Sequence, residues 1–203
     1  MALVPSFAGV VLAAGASSRM GRDKALLPWL GGTFLSAAIR ALQPLSDLVI
    51  VVVGANASEL APIVNANAGF MVVNPSPERG QFSSLQIGLQ EVLNRGRDAA
   101  IVTLVDRPAP RFATIEQMKN DFLAARDEIW AVVPESAGRH GHPIVIGREM
   151  ITAFLDAPVT SSAREVEHSL EQHIRYLPVT DPLVAANVDT PEDFQKLMSG
   201  TTA

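Results

Sequence analysis

Phe7 to Ala13 is an unbroken apolar run, rich in Val, that stops just short of Gly15. A strand with one wet face alternates apolar and polar residues. A strand covered on both faces does not, and parallel sheets are the ones covered on both faces. The pattern returns at Leu48 to Val53 (ended by Gly54), Phe70 to Val73 (ended by Asn74-Pro75) and Ala99 to Val105 (ended by Asp106 and Pro108). Three later runs, Ile129 to Val133, Pro143 to Ile146 and Leu183 to Val188, are further strand candidates.

Helical patterns separate these runs. Phe34, Leu35, Ala38, Ile39 and Leu42 recur at helical spacing, with Thr33 placed to cap the first turn and Pro44 to stop the last. Leu85, Leu89 and Val92 mark a helix opened by Ser83 or Ser84; Phe112, Ile115, Met118 and Phe122 mark another. Thr190-Pro191-Glu192-Asp193 combines a capping Thr, a Pro at the first helical position and two acids in the first turn. Ala55 to Ala68 is expected helical despite Pro62. Strand then helix, repeated four times, predicts an α/β fold with a parallel sheet and right-handed crossovers. The whole chain, 1–203, is expected to be a single domain, with Gly138 to Asp156 as its least regular stretch and an excursion near the site.

Composition removes several classes of function. There is no cysteine, which excludes disulfides, a thiol nucleophile and cysteine-held metals. A net charge of −5 without any run of Lys or Arg argues against nucleic acid. Phe7 to Ala14 is too short to span a bilayer, so no membrane is expected and a soluble, cytoplasmic protein is.

The segment Leu12-Ala13-Ala14-Gly15-Ala16-Ser17-Ser18-Arg19-Met20-Gly21-Arg22-Asp23-Lys24 follows the first strand directly. Its small residues allow a ligand to approach the backbone, and Gly15 and Gly21 permit unusual backbone angles. Consecutive N–H groups in such a loop form an anion-binding concavity, to which Arg19 and an exposed Lys24 would add positive charge. Five residues separate the two glycines and Lys24 stands three beyond the second, so the loop is not a Walker A motif; the three-glycine dinucleotide pattern is absent as well. A plain strand-to-helix turn is the competing reading of the same residues.

Read as a whole, the loop resembles that of the molybdenum cofactor nucleotidyltransferases, also called MobA-like NTP transferases, and the likeness continues in order along the chain. Leu26-Leu27-Pro28, Gly31-Gly32-Thr33, Gly80-Gln81-Phe82-Ser83-Ser84-Leu85, Asp106-Arg107-Pro108, Gly141-His142-Pro143 and Asp189-Thr190-Pro191-Glu192-Asp193 are each similar to a family segment. The resemblance implies a three-layer, Rossmann-like nucleotidyltransferase fold with a mostly parallel sheet. It implies transfer of a nucleotidyl group from a nucleoside triphosphate to a phosphorylated acceptor with release of pyrophosphate. Carried over by position, Leu12, Ala13, Ala14 and Gly15 would cradle base and ribose, and Arg19 and Lys24 would hold phosphates; the helix start at Ser83 and Ser84 would, as an N-terminus, contact the nucleotide or the acceptor. Asp106 would bind Mg²⁺, with Asp189 as a second carboxylate. Ala13-Ala14-Gly15 is more similar to the cytidylyl branch, implying CTP over GTP and a molybdopterin-type acceptor. Arg107 stands where that branch usually has Gln, and Asn187 where it usually has Asp.

Strand order supports the same pairing on general grounds. In an open parallel sheet of order 3-2-1-4, ligands bind at the carboxyl edge between strands one and four. The glycine loop follows the first strand and Asp106 the fourth, about 90 residues later. The bland alternatives are that Asp106 caps a helix starting near Arg111, that Asp189 serves a helix dipole and that Ser83 or Ser84 is a cap. His142 is read as shaping a substrate loop, and His140, His168 and His173 as surface residues. Two other functions stay open: a transferase for a sugar phosphate or another small acceptor, and a carrier delivering the finished cofactor to an apo-molybdoenzyme.

Overall fold

The computed structural model describes residues 5–17, 20–125 and 127–201. Its strands are β1 (Phe7–Ala13), β2 (Pro28–Trp29), β3 (Gly32–Thr33), β4 (Leu48–Val53), β5 (Phe70–Val73), β6 (Ala99–Leu104), β7 (Ala131–Ser136), β8 (Arg139–His140), β9 (Ile144–Gly147) and β10 (Ile174–Pro178). Its helices are α1 (Phe34–Leu42), α2 (Ala57–Ala66), α3 (Gln81–Asn94), α4 (Phe112–Ala125), α5 (Arg148–Asp156), α6 (Ala163–Ser169) and α7 (Pro191–Thr201). The main sheet runs β10-β7-β9-β6-β1-β4-β5, with β8 paired to β7. β5, β4, β1 and β6 are mutually parallel, which is the order 3-2-1-4 for the four long apolar runs. β9 is antiparallel to both β6 and β7, and β10 lies parallel to β7 at the edge.

The continuous apolar runs are explained by two cores, one on each face of the sheet. Alternate residues Val11, Val51 and Ile101 pack with Leu35 and Ile39 of α1, Leu60 of α2 and Met118 of α4. Val10, Val52 and Val102 pack with Leu85 and Leu89 of α3 and Met150 and Phe154 of α5. A Cβ on Gly88 would stand 2.9 Å from Val10 Cγ1 and 3.0 Å from Val52 Cγ2, so this glycine sets how closely α3 approaches the sheet. A third cluster joins Met20, Leu27, Trp29 and Phe34 to Val188, and Phe194 of α7 packs against it. It brings the C-terminal segment beside the loop after β1. Among the described residues no helix is long and apolar enough to cross a membrane.

Several expectations are corrected. Leu183 to Val188 is not a strand: Asp181 accepts from Leu183 N and opens a 3-10 turn over Pro182–Ala185, where proline offers no ladder donor. The edge strand β10 was not foreseen, because Ile174–Pro178 is half-exposed and carries Arg175 and Tyr176 instead of an apolar run. The stretch from Gly138 to Asp156 is regular, holding β8, β9 and α5, and lines no part of the cleft described below. The helix expected from Ala55 to Ala68 is Ala57–Ala66 and keeps Pro62 inside it. Thr33 does cap α1, in a reciprocal pair with Ser36.

Candidate active site

At the carboxyl edge of the parallel strands a cleft of about 300 Å³ opens between the loop after β1, the segment before α3 and the end of β6. Leu12, Ala14, Gly15, Ser17 and Lys24 form one wall; Pro77, Gly80, Gln81 and Ser84 face them; Leu104, Val105 and Asp106 close the floor. Val105 N donates to Leu12 O at 3.0 Å, continuing the β1–β6 ladder and holding Asp106 beside the loop.

Charge in the cleft is concentrated at Lys24. Only 8% of this residue is exposed, so the expectation of an exposed lysine is corrected. Its Nζ lies 2.6 Å from Asp189 Oδ1 and 3.3 Å from Asp106 Oδ2. The burial follows from local folding: Asp23 caps the short turn Lys24–Leu26, and Lys24 N donates to Ser17 Oγ at 3.0 Å. Asp189 reaches the same ammonium from the far end of the chain because Val188 N donates to Asp106 O at 3.0 Å. Asn187 Nδ2 donates to Asp189 Oδ2 at 2.7 Å. Asp106 Oδ1, by contrast, is buried with no partner among the described residues.

Neither carboxylate is needed as a helix cap. Asp181 Oδ2 accepts from Arg111 N and Thr114 Oγ1 at the start of α4, and Asp193 Oδ2 accepts from Asp189 N and Thr190 N at the start of α7. Those two backbone donors hold the Asp193 carboxyl below its usual value. Arg107 Nη1 donates to Ala186 O at 3.2 Å, tying down the segment that delivers Asp189.

Two asparagines not expected at the site, the buried Asn74 and the half-buried Asn56, fasten the loops. Asn56 Nδ2 donates to Ala13 O at 2.9 Å and to Asp23 Oδ2 at 2.6 Å, while its Oδ1 accepts from Gly54 N. Asn74 Nδ2 donates to the hydroxyls of Ser83 and Ser84. The signal that could have found them is position: each stands just past the end of a parallel strand, where ligands bind.

Arg19 lies outside the described residues. Gly15 borders the cleft with open space around its α-carbon, and positive φ belongs to Gly21 (70°) and Ser17 (49°) instead. α3 starts at Gln81 on Gly80 without a side-chain cap, so the expected Ser83 or Ser84 opening is corrected by two to three residues. Ser84 borders the cleft, and Ser83 Oγ donates inward to Gly80 O at 2.8 Å. His142 is desolvated and close to Arg107, which pushes its pKa down to about 4 against a weak bond to Val102 O. His140 stacks on Tyr176, His173 stacks on Trp130, and His168 is exposed.

Two carboxylates sharing one ammonium, one of them with an unpartnered buried oxygen, fit a hard divalent cation. Mg²⁺ takes one or two protein carboxylates and completes its shell with phosphate oxygens and water. Among the described residues no cluster of three or more His, Asp or Glu is arranged for a metal, so a closed all-protein site is not built here.

The chain is of the α/β class with a mostly parallel sheet and a cleft at its carboxyl edge, and comparison with known proteins gives the family. The MobA-like NTP transferase domain matches residues 9–175, and the chain belongs to this family. It is 25% identical to the molybdenum cofactor cytidylyltransferase of Escherichia coli (strain K12), over 91% of this chain and 92% of that protein. It is 29% identical to the molybdenum cofactor guanylyltransferase of Xanthomonas euvesicatoria pv. vesicatoria (strain 85-10), over 98% and 97%. It is also 30% identical to the nicotine blue oxidoreductase of Paenarthrobacter nicotinovorans, over 96% and 98%. Among solved structures, Rv0371C of Mycobacterium tuberculosis H37Rv in complex with manganese superposes with a TM-score of 0.77 at 26% identity, covering 96% of this chain and 98% of that one.

Proposed function

We propose that the chain transfers a nucleotidyl group from a nucleoside triphosphate, CTP in preference to GTP, to a phosphorylated acceptor of molybdopterin type in the cytoplasm. The observation that carries this reading is the Lys24–Asp106–Asp189 cluster at a cleft bounded by the glycine loop. An acceptor phosphate oxygen attacks the α-phosphorus; the bond between that phosphorus and the oxygen bridging to the β-phosphate breaks; pyrophosphate leaves. No general base is required, since a phosphate acceptor is already an anion near pH 7. What the reaction needs is positioning and neutralisation of converging negative charge.

In this reading Leu12, Ala13, Ala14 and Gly15 hold the base and ribose side, Ser83 and Ser84 lie on the nucleotide side, and Arg19 and Lys24 face the phosphates. Asp106, supported by Asp189, would hold Mg²⁺, which when bound neutralises charge on the phosphate oxygens. The manganese complex of Rv0371C supports a divalent cation, and the cytidylyltransferase and guanylyltransferase relatives support the acceptor class. Preference for CTP rests on Ala13-Ala14-Gly15.

Pyrophosphate release tests the proposal. CTP and GTP at equal concentration, with Mg²⁺, are offered with molybdopterin and with a panel of sugar phosphates. Faster release with CTP and molybdopterin is expected. A GTP preference overturns the base assignment, and a sugar-phosphate preference overturns the acceptor. Silence with every pair overturns transfer and turns attention to redox chemistry of the kind named for the nicotine blue relative.

A further inference from the structure

Asn74 follows β5 and is only 2% exposed. The backbone fixes which way its amide points. Ser76 N–H, which only donates, meets one side-chain atom of Asn74 at 2.9 Å, so that atom is the oxygen and the other is the nitrogen. The nitrogen carries two hydrogens. One points to Ser83 Oγ at 3.0 Å and the other to Ser84 Oγ at 2.9 Å. Both hydroxyls are therefore acceptors towards Asn74, and each still has its own proton to give. Ser83 gives its proton to Gly80 O at 2.8 Å. Ser84 has no such carbonyl bond among the described residues, and it borders the cleft.

We propose that Asn74 is a positioning residue that leaves the Ser84 proton free to be donated towards the nucleoside half of the ligand. An acceptor on that half, a carbonyl oxygen or a ring nitrogen, would take the proton. The inference rests on the nucleoside triphosphate reading above. The nucleoside half is chosen because Lys24 and Asp106 supply the cleft's charge, whereas Pro77, Gly80, Gln81 and Ser84 are uncharged. A buried hydroxyl proton without an acceptor is costly, so a ligand that supplies an acceptor gains by it.

Asn74→Asp keeps the shape and the bond from Ser76 N, but a carboxylate cannot donate to Ser84, so the hydroxyl turns its proton to the carboxylate and has none left for a ligand. Binding of CTP and GTP with Mg²⁺ is measured by calorimetry for the full chain, Ser84→Ala, Asn74→Asp and the double variant. Inorganic tripolyphosphate is the probe without a nucleoside. Ser84→Ala is expected to weaken nucleotide binding by about tenfold. Asn74→Asp weakens it at least as much in the unaltered chain and about tenfold less when Ser84 is already Ala. Tripolyphosphate shows only the added charge, by the same factor in both backgrounds. If Asn74→Asp costs nucleotide the same factor in both backgrounds, the positioning role is overturned while the nucleotide reading stands. If the unaltered chain binds neither CTP nor GTP, the nucleotide reading falls, and this proposal with it.

Discussion

The walls of the cleft and its charged centre are built in different ways. The walls come from local grammar: an apolar parallel strand, a small-residue or Asn-bearing loop, then a helix, as at β1, β4 and β5. The centre comes from long-range meetings. Lys24 is 82 residues from Asp106 and 165 from Asp189, and the ammonium joins all three elements. A side-chain change in a wall therefore alters one contact, whereas a change at the centre disturbs the loop after β1, the end of β6 and the segment before α7 together. The third apolar cluster, with Trp29 stacked on Phe34 at 5.6 Å, is what keeps those elements in register.

Lys24→Met breaks this contrast most severely. It keeps the length of the side chain but leaves two carboxylates facing each other without their cation. Loss of the shared partner is expected to destabilise the fold by roughly 1–3 kcal/mol. Turnover is expected to fall by about 10²–10³, the usual cost of removing one aimed charge from such a site. Mg²⁺ alone should then raise the melting temperature more in the variant than in the unaltered chain, because the ion no longer competes with an ammonium. Thermal unfolding with and without Mg²⁺ checks this; equal Mg²⁺ shifts would break the claim that Lys24 binds where the cation would.

A smaller effect separates the strand-rich side of the sheet beyond β6 from the centre. His142, just before β9, is held neutral down to about pH 4 by desolvation and by Arg107. In the unfolded chain it takes up its proton near its ordinary value of 6.5. The unfolded state thus binds more protons between these values, so this residue costs the fold stability as pH falls from about 6.5 to about 4. His142→Gln should flatten that part of the stability–pH curve in denaturant titrations. An unchanged slope would place the pH dependence elsewhere.

How much was legible follows the same division. Three of the four parallel strands were written in Phe7–Ala13, Leu48–Val53 and Ala99–Leu104, because strands covered on both faces must be apolar throughout; Phe70–Val73 was apolar too although it is an exposed edge, and the order was the common one for such sheets. The edge strand β10 has one solvent-facing side and mixes Arg175 with Tyr176, so no continuous run announces it. The buried Val184, Ala185 and Val188 imitated a strand, yet their apolar character serves packing around a proline turn. At the site, the glycine loop and Asp106 were visible as residues beyond strand ends. The burial of Lys24 was not, since it depends on carboxylates arriving from two distant segments. Asn56 and Asn74 escaped because an asparagine after a strand is also an ordinary turn residue; only their bonds to Ala13, Asp23, Ser83 and Ser84 set them apart.

The transfer chemistry rests first on Asp106, whose Oδ1 is buried just past β6 with no partner among the described residues. Asn at this position keeps the shape and removes the charge, and a neutral amide oxygen holds Mg²⁺ poorly beside a triphosphate. The decisive measurement is nucleotidyl transfer rate against Mg²⁺ concentration for the unaltered chain, Asp106→Asn and Asp189→Asn. Asp106→Asn is expected to lose most Mg²⁺-dependent turnover with little loss of stability. Asp189→Asn is expected to show a smaller defect, since Lys24 and Asn187 already engage both of its oxygens. A Mg²⁺ dependence in Asp106→Asn indistinguishable from that of the unaltered chain would contradict the site and the transfer chemistry built on it.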